Sequence, residues 1–391
     1  MFTTLRKRQF LMIYIIPLMS VGIGSMNWSI SILYALELGA DILQINLITT
    51  IRSTMSIFLV VPFGILSDRL GRKPMILYPR IIMLLGTVIR AFAFTPNHLL
   101  IAALVGGFGG GSYFPTLLSM LADIAEPEEQ QESISILFFF SSIGMVAGPL
   151  IATLLLNLPS ITLRSIYQIS VIAEALVVVY LATKIRETNP PVVNSVKPGF
   201  RAPIMELVRQ PIVQGLLVMT FLYFFSRSIT ATYIPIYSSV DLNLSNAEIA
   251  SLSIYRSFAI MLIRLSSATF LARVSIKPFL LSVLALGGVT SLLAPLAGNY
   301  TSIVFLFFLM GMSFGAVRIL ITTIIAKNSK PENRGVANSL LNIGQSAGNL
   351  TKVATSPIAD TFGLDPVFLL GGVIGLIAII PIMLPKVSKR V

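Results

Sequence analysis

Cysteine is absent from this 391-residue chain, and histidine and tryptophan occur once each. Without cysteine there is no disulfide framework, no thiolate metal site and no cysteine nucleophile. The single histidine, His98, excludes a metal centre built from several histidines. Charged residues make up only 11% of the chain, against roughly 25% in soluble domains. The chain therefore lacks the polar surface of a soluble enzyme, and we expect no enzymatic activity and no cofactor or metal.

Hydrophobic residues are abundant, at 55% of the chain, and the mean hydropathy is +0.87. A helix that crosses a bilayer needs roughly 20 mostly apolar residues, and about twelve stretches meet that criterion. We predict an all-α membrane protein whose twelve transmembrane helices form two six-helix halves. The predicted spans are 10–36, 42–66, 75–95, 99–123, 133–157, 163–184, 212–238, 246–272, 279–296, 302–326, 336–359 and 366–385.

The distribution of basic residues predicts the orientation. With the N-terminus inside, 19 of the 28 Lys and Arg residues fall in inside segments, eight fall within spans, and Arg164 alone lies outside. An excess of bases in cytoplasmic segments is the rule for membrane proteins. We therefore expect both termini in the cytoplasm of a multi-pass cell-membrane protein, and we assign the net charge of +12 to these loops rather than to nucleic-acid binding.

The two predicted halves are related by an internal repeat. A proline-rich, basic stretch at 185–211 is the predicted cytoplasmic linker between an N-terminal half, 1–184, and a C-terminal half, 212–391. When the halves are aligned at an offset of 204 residues, basic, glycine and proline positions coincide without a gap. The matched pairs include Arg52 with Arg256, Lys73 with Lys277, Pro74 with Pro278, Gly107 with Gly311 and Gly144 with Gly348. Two repeated six-helix halves are a transporter architecture with the substrate site between the halves, near the middle of the membrane.

A signature motif follows the second predicted span, where the chain runs GILSDRLGRKP from Gly64 to Pro74. This loop resembles the G-x-L-x-D-R-x-G-R-[KR] signature of the major facilitator superfamily, which lies between helices two and three of that fold. The resemblance implies a gating role for the loop, with Asp68 facing the start of helix eleven near Arg334 and Gly335. The alternative is a topology anchor alone. The motif residues are Gly64, Asp68, Arg69, Gly71, Arg72 and Lys73.

The fifth predicted span contains Gly144, Gly148, Pro149 and Ala152, which resemble the antiporter motif of the same family with alanine at its final glycine. Small residues at this spacing also let two helices pack closely, so helix packing alone is an equally weighted interpretation.

Eight basic residues lie within the predicted spans, where a charge is costly and indicates function by default. One acid, Glu174, opposes them. Arg80 and Arg264 are close enough to the inner interface for their side chains to extend into it. We predict that Arg90 and Glu174 form a structural ion pair or an interface contact.

Arg52 and Arg256 each lie eleven residues after the outer end of a span, roughly 16 Å deep. A guanidinium offers a planar fork of donors to an oxyanion, so two repeat-related arginines predict an anion clamp. In the eleventh span, polar residues spaced 4, 3, 4, 3 share one helical face and end at Lys352. In its two arginines the chain resembles nitrate/nitrite porters, although their glycine-rich signatures are missing. In the pairing of Arg256 with Lys352 it resembles oxalate/formate exchangers. The predicted substrate-binding residues are Arg52, Arg256, Lys352, Arg227, Arg318, Asn349 and Gln345.

We therefore predict a monomeric secondary transporter that moves a small organic or inorganic anion by alternating access. The alternative is a proton-coupled exporter of lipophilic compounds, a multidrug-type antiporter. The helix-five motif favours this alternative, while the lack of an arginine in the fourth span and of an acid in the first opposes it. A sensor or receptor is a third class, and only the missing proton site supports it.

Overall fold

The computed structural model describes residues 4, 7–110, 113–188, 201–271, 274–328 and 334–388. Within these ranges, the side chains at 52–53, 56–57, 60–65, 68–69, 201–204, 267–271 and 334–335 also lie outside the description. The chain divides into two compact units. The first consists of Met1–Val196 with Asn246–Ile254, and the second of Lys197–Ser245 with Tyr255–Val391.

Among the residues that the structure describes, seven helices lie entirely within the first unit. Two of them begin at a side-chain cap: Asp41 accepts a 2.7 Å hydrogen bond from the backbone nitrogen of Gln44, and Thr162 forms a capping box with Ser165. The helices are α1 Arg8–Glu37, α2 Ile42–Leu70, α3 Arg72–Ala91, α4 Pro96–Gly110, α5 Tyr113–Ile124, α6 Gln130–Leu156 and α7 Leu163–Lys184.

The second unit begins with a short helix inside the predicted linker, α8 Arg201–Val208. It continues with α9 Pro211–Val240, α10 Asn246–Leu271, α11 Ile276–Leu292, α12 Tyr300–Asn328 and α13 Arg334–Thr351, and ends with α14 Ser356–Phe362, α15 Leu364–Ile377, α16 Ile380–Met383 and α17 Pro385–Ser388. The first nine residues of α10, Asn246–Ile254, belong to the first unit.

Nine helical segments within the described ranges are long and apolar enough to cross a membrane. The shorter apolar helices Ile42–Ile51 and Ile276–Leu292 fall at two of the other predicted spans. No strand occurs in the ranges that the structure describes. The prediction of an all-helical membrane protein is confirmed, and the count of twelve spans is consistent with these helices.

The eleventh predicted span, 336–359, is interrupted in the structure. After α13 the chain forms one 3-10 turn, Lys352–Thr355, before α14 begins. Pro357 explains the break, because its ring excludes the carbonyl four residues earlier and it has no N–H to donate. The turn thus falls at the basic end of the polar stripe.

Glycines of the fifth predicted span bring α6 against α1. A Cβ atom added at Gly144 would lie 3.0 Å from the backbone nitrogen of Gly22 and would overlap the carbonyl oxygen of Leu18. Ser25 also donates a 3.1 Å hydrogen bond to the carbonyl of Gly144. Gly148, next to Pro149, allows a similarly close approach, so the motif packs two helices.

Candidate substrate site and gating motif

Three basic side chains of the second unit form a group: Arg227 on α9, Arg256 on α10 and Lys352. Arg227 is close enough to Arg256 on α10 and to Lys352 for its charge to repel both. Lys352 is 4% exposed, and the two arginines are half-buried. Among the described residues, no carboxylate forms an ion pair with either arginine. The group is therefore a concentration of positive charge, and no carboxylate of the described residues neutralises its two arginines.

Arg227 is held by aromatic rings. Its guanidinium carbon lies 4.0 Å from the ring centroid of Phe314 on α12 and 5.8 Å from that of Phe224. Its Nε is buried and has no hydrogen-bond partner among the described residues. A cation stacked on a ring is attracted by the ring's quadrupole, while its N–H donors point outward in the guanidinium plane. Arg227 thus lies against two aromatic rings, and its buried Nε is a donor that these residues do not satisfy.

Arg256 is positioned by a close contact between α10 and α12. A Cβ atom added at Gly311 would overlap the carbonyl oxygen of Arg256 and lie 2.9 Å from the side chain of Ala259. Only a residue without a side chain allows this approach. Gly311, one of the repeat glycines, therefore determines the position of the Arg256 backbone relative to α12.

Lys352 lies at the start of the 3-10 turn, and its ammonium donates a 3.1 Å hydrogen bond to the hydroxyl of Thr232 on α9. One turn later, the hydroxyl groups of Thr355 and Tyr233 are 2.8 Å apart. The break in the helix is thus tied to α9 by two buried polar contacts. Thr232 was missed by sequence reasoning, because it is one of several serine and threonine residues in α9 and no pattern distinguishes it from the others.

Arg318 on α12 binds the polar stripe of α13. One of its Nη atoms donates hydrogen bonds of 3.1 Å to Asn342 and 2.8 Å to Gln345. Arg318 is exposed, so its other donors are accessible. Asn349, farther along the same face, is half-buried. The structure therefore brings Arg318 and Gln345 together as a bridge between α12 and α13. This bridge shares no hydrogen bond or ring contact with Arg227.

The described part of the signature loop is held firmly within the first unit. Gly71 has a φ of +96°, which favours glycine, and it separates α2 from α3. Arg72 Nε lies 3.1 Å from the Asp123 carboxylate at the end of α5. The carboxylate of Glu187 accepts hydrogen bonds of 2.8 and 3.0 Å from the backbone nitrogens of Arg72 and Lys73. A carboxylate in this place satisfies free N–H groups and interacts favourably with the helix dipole.

Glu187 was missed by sequence reasoning. Its position directly after the sixth predicted span, on the same predicted side as the signature loop, was the one available signal. The predictions for Arg52, Gly64, Asp68 and Arg69 concern side-chain positions outside the description, so these assignments stay predictions.

The predicted pairing of Glu174 with Arg90 is wrong, and so is the extension of Arg80 into the interface. Arg80 is 2% exposed, and its guanidinium lies 2.6 Å from the Glu174 carboxylate. The cause is the register of α3 against α7, because Lys73 Nζ donates to the carbonyl of Ala182 at 2.7 Å. Seven residues along α3 lead from Lys73 to Arg80, and eight back along α7 lead from Ala182 to Glu174. Arg90, ten residues beyond Arg80, lines a separate small pocket together with Asn27 and Thr49.

Comparison with known proteins agrees with this architecture. The chain matches the Major Facilitator Superfamily over residues 13–351, with a second match over 216–390. It is 28% identical over 126 residues to Multidrug resistance protein 3 of Bacillus subtilis, which is 32% of this chain and 24% of that protein. It is 29% identical over 128 residues to the multidrug resistance protein MdtH of Cronobacter sakazakii, 33% of this chain and 32% of the relative. The matched region thus spans a third or less of these two relatives.

The crystal structure of a POT family transporter in complex with a thioalcohol-conjugated peptide superposes with a TM-score of 0.80 at 13% identity. The superposition covers 98% of this chain and 97% of the other. The fold and the signature loop define a multi-pass membrane transporter. This chain belongs to the Major Facilitator Superfamily.

Proposed function

We propose that this protein is a secondary transporter of a small anion and that Arg227, Arg256 and Lys352 contact the substrate in the second unit. One observation carries the proposal. Arg227 lies near the other two bases, and no carboxylate of the described residues forms an ion pair with Arg227 or Arg256. Buried charge is costly unless it is compensated. A bound anion would supply that compensation, and its release would restore the repulsion.

The donor geometry favours an oxyanion. Arg227 has a planar fork of donors and lies 4.0 Å from the ring centroid of Phe314, while Lys352 is a compact point charge held by Thr232. Arg52, the repeat mate of Arg256, completes the proposed clamp by sequence symmetry alone. We further propose that the chain lies in the cell membrane with both termini in the cytoplasm, as the distribution of its bases predicts.

Anion binding to purified full-length protein tests the proposal, with nitrate, sulfate, formate and oxalate as probes and the melting temperature as readout. We expect at least one anion to stabilise the wild type. Arg256→Ala should weaken the binding of that anion roughly 10- to 150-fold, because a hydrogen bond to a charged group contributes about 1.5–3 kcal/mol. Arg256→Lys should lose less of the anion affinity, since lysine keeps the positive charge but lacks the planar fork of donors.

The matched control is Lys327→Ala, which removes an exposed base from the same unit. If Arg256→Ala and Arg52→Ala both fold and bind the stabilising anion as tightly as this control, the anion clamp is wrong.

A second candidate function is the export of lipophilic compounds. It is favoured by the names of the two relatives, which are multidrug resistance proteins. The aromatic rings beside Arg227 would suit an apolar ligand as well as they hold the guanidinium. Stabilisation by tetraphenylphosphonium but by none of the four anions would favour this alternative over the anion transporter.

A further inference from the structure

A second cavity lies in the first unit, remote in sequence from the basic group around Arg227. It has a volume of about 860 Å³ and lies where α1 begins and where α5 and α7 end. This size is within the usual range for small-molecule sites, about 300–1,000 Å³. Its apolar lining includes Met12, Ile13, Met120, Ile124 and Ile185, and its basic lining consists of Lys7, Arg8, Lys184 and Arg186.

The bases around this cavity differ in how they are compensated. Lys7 lies 2.7 Å from Glu129. Glu187, the one carboxylate among the lining residues, is already bound to the start of α3. Arg8, Lys184 and Arg186 are exposed and have no ion pair or hydrogen bond from their side chains within the described part of the chain. The cavity therefore combines a positively charged rim with an apolar wall.

The positively charged rim and the apolar wall both lie at the ends of membrane-spanning helices. Helix ends of this kind lie where lipid headgroups meet the hydrocarbon region, and basic pockets there bind anionic headgroups. A guanidinium is well suited to a phosphate, because it offers two parallel donors. The adjoining methionine and isoleucine side chains offer the apolar contact that the first carbons of an acyl chain require.

We propose that this cavity binds an anionic phospholipid, with its phosphate at Arg8, Lys184 and Arg186 and its acyl chains along Met12 and Ile124. The lipid site is separate from the proposed substrate site and does not depend on the transported compound. It also adjoins Glu187, which holds the signature loop at the start of α3. Lipid bound here therefore stabilises the end of α7 to which that loop is attached.

The test uses full-length protein purified in a neutral detergent and titrated with short-chain phosphatidylglycerol, phosphatidylcholine or inorganic phosphate. We expect phosphatidylglycerol to raise the melting temperature, with phosphatidylcholine and phosphate having little effect at equal concentration. The double variant Lys184→Gln/Arg186→Gln should bind phosphatidylglycerol roughly 30-fold more weakly, since each base contributes about one kcal/mol near an anionic surface.

The charge-matched control is Lys327→Gln/Lys386→Gln, which removes two exposed bases that do not line the cavity. It should keep the wild-type response, as should Lys184→Arg, which preserves the cavity's charge. The lipid site is refuted if the two double variants respond alike or if phosphatidylcholine stabilises as well as phosphatidylglycerol. An equal effect of inorganic phosphate would show a site for a free anion and would likewise overturn the proposal.

Discussion

The guanidinium of Arg80 on α3 lies 2.6 Å from the carboxylate of Glu174 on α7, and both side chains are at most 3% exposed. Breaking such a pair leaves a buried charge and costs about 3–5 kcal/mol. We predict that Glu174→Gln lowers the melting temperature strongly. Replacing both residues by methionine should cost less, because no uncompensated charge is left.

The control for this pair is Asp360→Asn, which neutralises an exposed acid. Thermal unfolding of the purified variants measures the effect. If Glu174→Gln melts at the temperature of the control, the pair does not stabilise the first unit.

The closely packed glycines provide a second prediction. Gly144 and Gly348 are repeat mates, and a Cβ atom on either would overlap the carbonyl oxygen of a facing helix, at Leu18 and Phe221 respectively. Overpacking typically costs about 1–3 kcal/mol. Gly144→Ala and Gly348→Ala should each lower the melting temperature, whereas Gly24→Ala, which meets no atom within 4 Å, should keep or raise it. Equal behaviour of the three variants would contradict helix packing as the role of the repeat glycines.

The repeat shows what the sequence could establish. Coincidences at one offset identified Gly144 and Gly348, and the structure places both at close contacts between helices. Apolar length also located most spans within a few residues, because it is a property of the chain alone. The partner of Glu174 could not be predicted in this way, since it depends on the register between α3 and α7. The hydrogen bond of Lys352 to Thr232 likewise needed the turn at Pro357, whose direction no periodicity predicts.

Asp241, directly after α9, should make stability depend on pH. Partial burial and the charge of Asp365 raise the pKa of Asp241 above its ordinary value of 3.8. An acid with a raised pKa binds its proton more tightly when folded, so its charged form destabilises the protein at neutral pH. Asp241→Asn should therefore melt higher than wild type at pH 7, and the difference should shrink as the pH falls through the raised pKa toward 3.8 and below.

Melting curves of wild type, Asp241→Asn and Asp360→Asn across this pH range provide the measurement. A difference between wild type and Asp241→Asn that grows on acidification would have the wrong sign and would exclude this explanation.

The predicted orientation can be tested by cysteine labelling, because the wild type has no cysteine. Ser160 lies exposed between α6 and α7, on the predicted outer side. Ser195 belongs to the predicted cytoplasmic linker and lies outside the described residues. An impermeant maleimide should label Ser160→Cys in intact cells and Ser195→Cys only after permeabilisation. The opposite pattern would invert the orientation.

The last prediction concerns the gate. The resemblance to the family implies that Asp68 acts on the start of α13 when the inner side is closed, while Arg72 and Glu187 hold the rest of the loop within the first unit. Asp68→Asn should slow turnover without unfolding the protein. A carboxylate near a helix N-terminus contributes about 0.3–1 kcal/mol, so we expect a roughly two- to five-fold effect.

Glu187→Gln provides the contrast, because this change weakens the anchoring of α3 and should lower the melting temperature. Transport of the identified substrate into reconstituted vesicles and thermal unfolding are measured on the same preparations. A gate requires that Asp68→Asn change the transport rate with little change in melting temperature, since it alters the balance between conformations rather than the fold of either unit. If Asp68→Asn transports at the wild-type rate, the loop serves as a topology anchor alone.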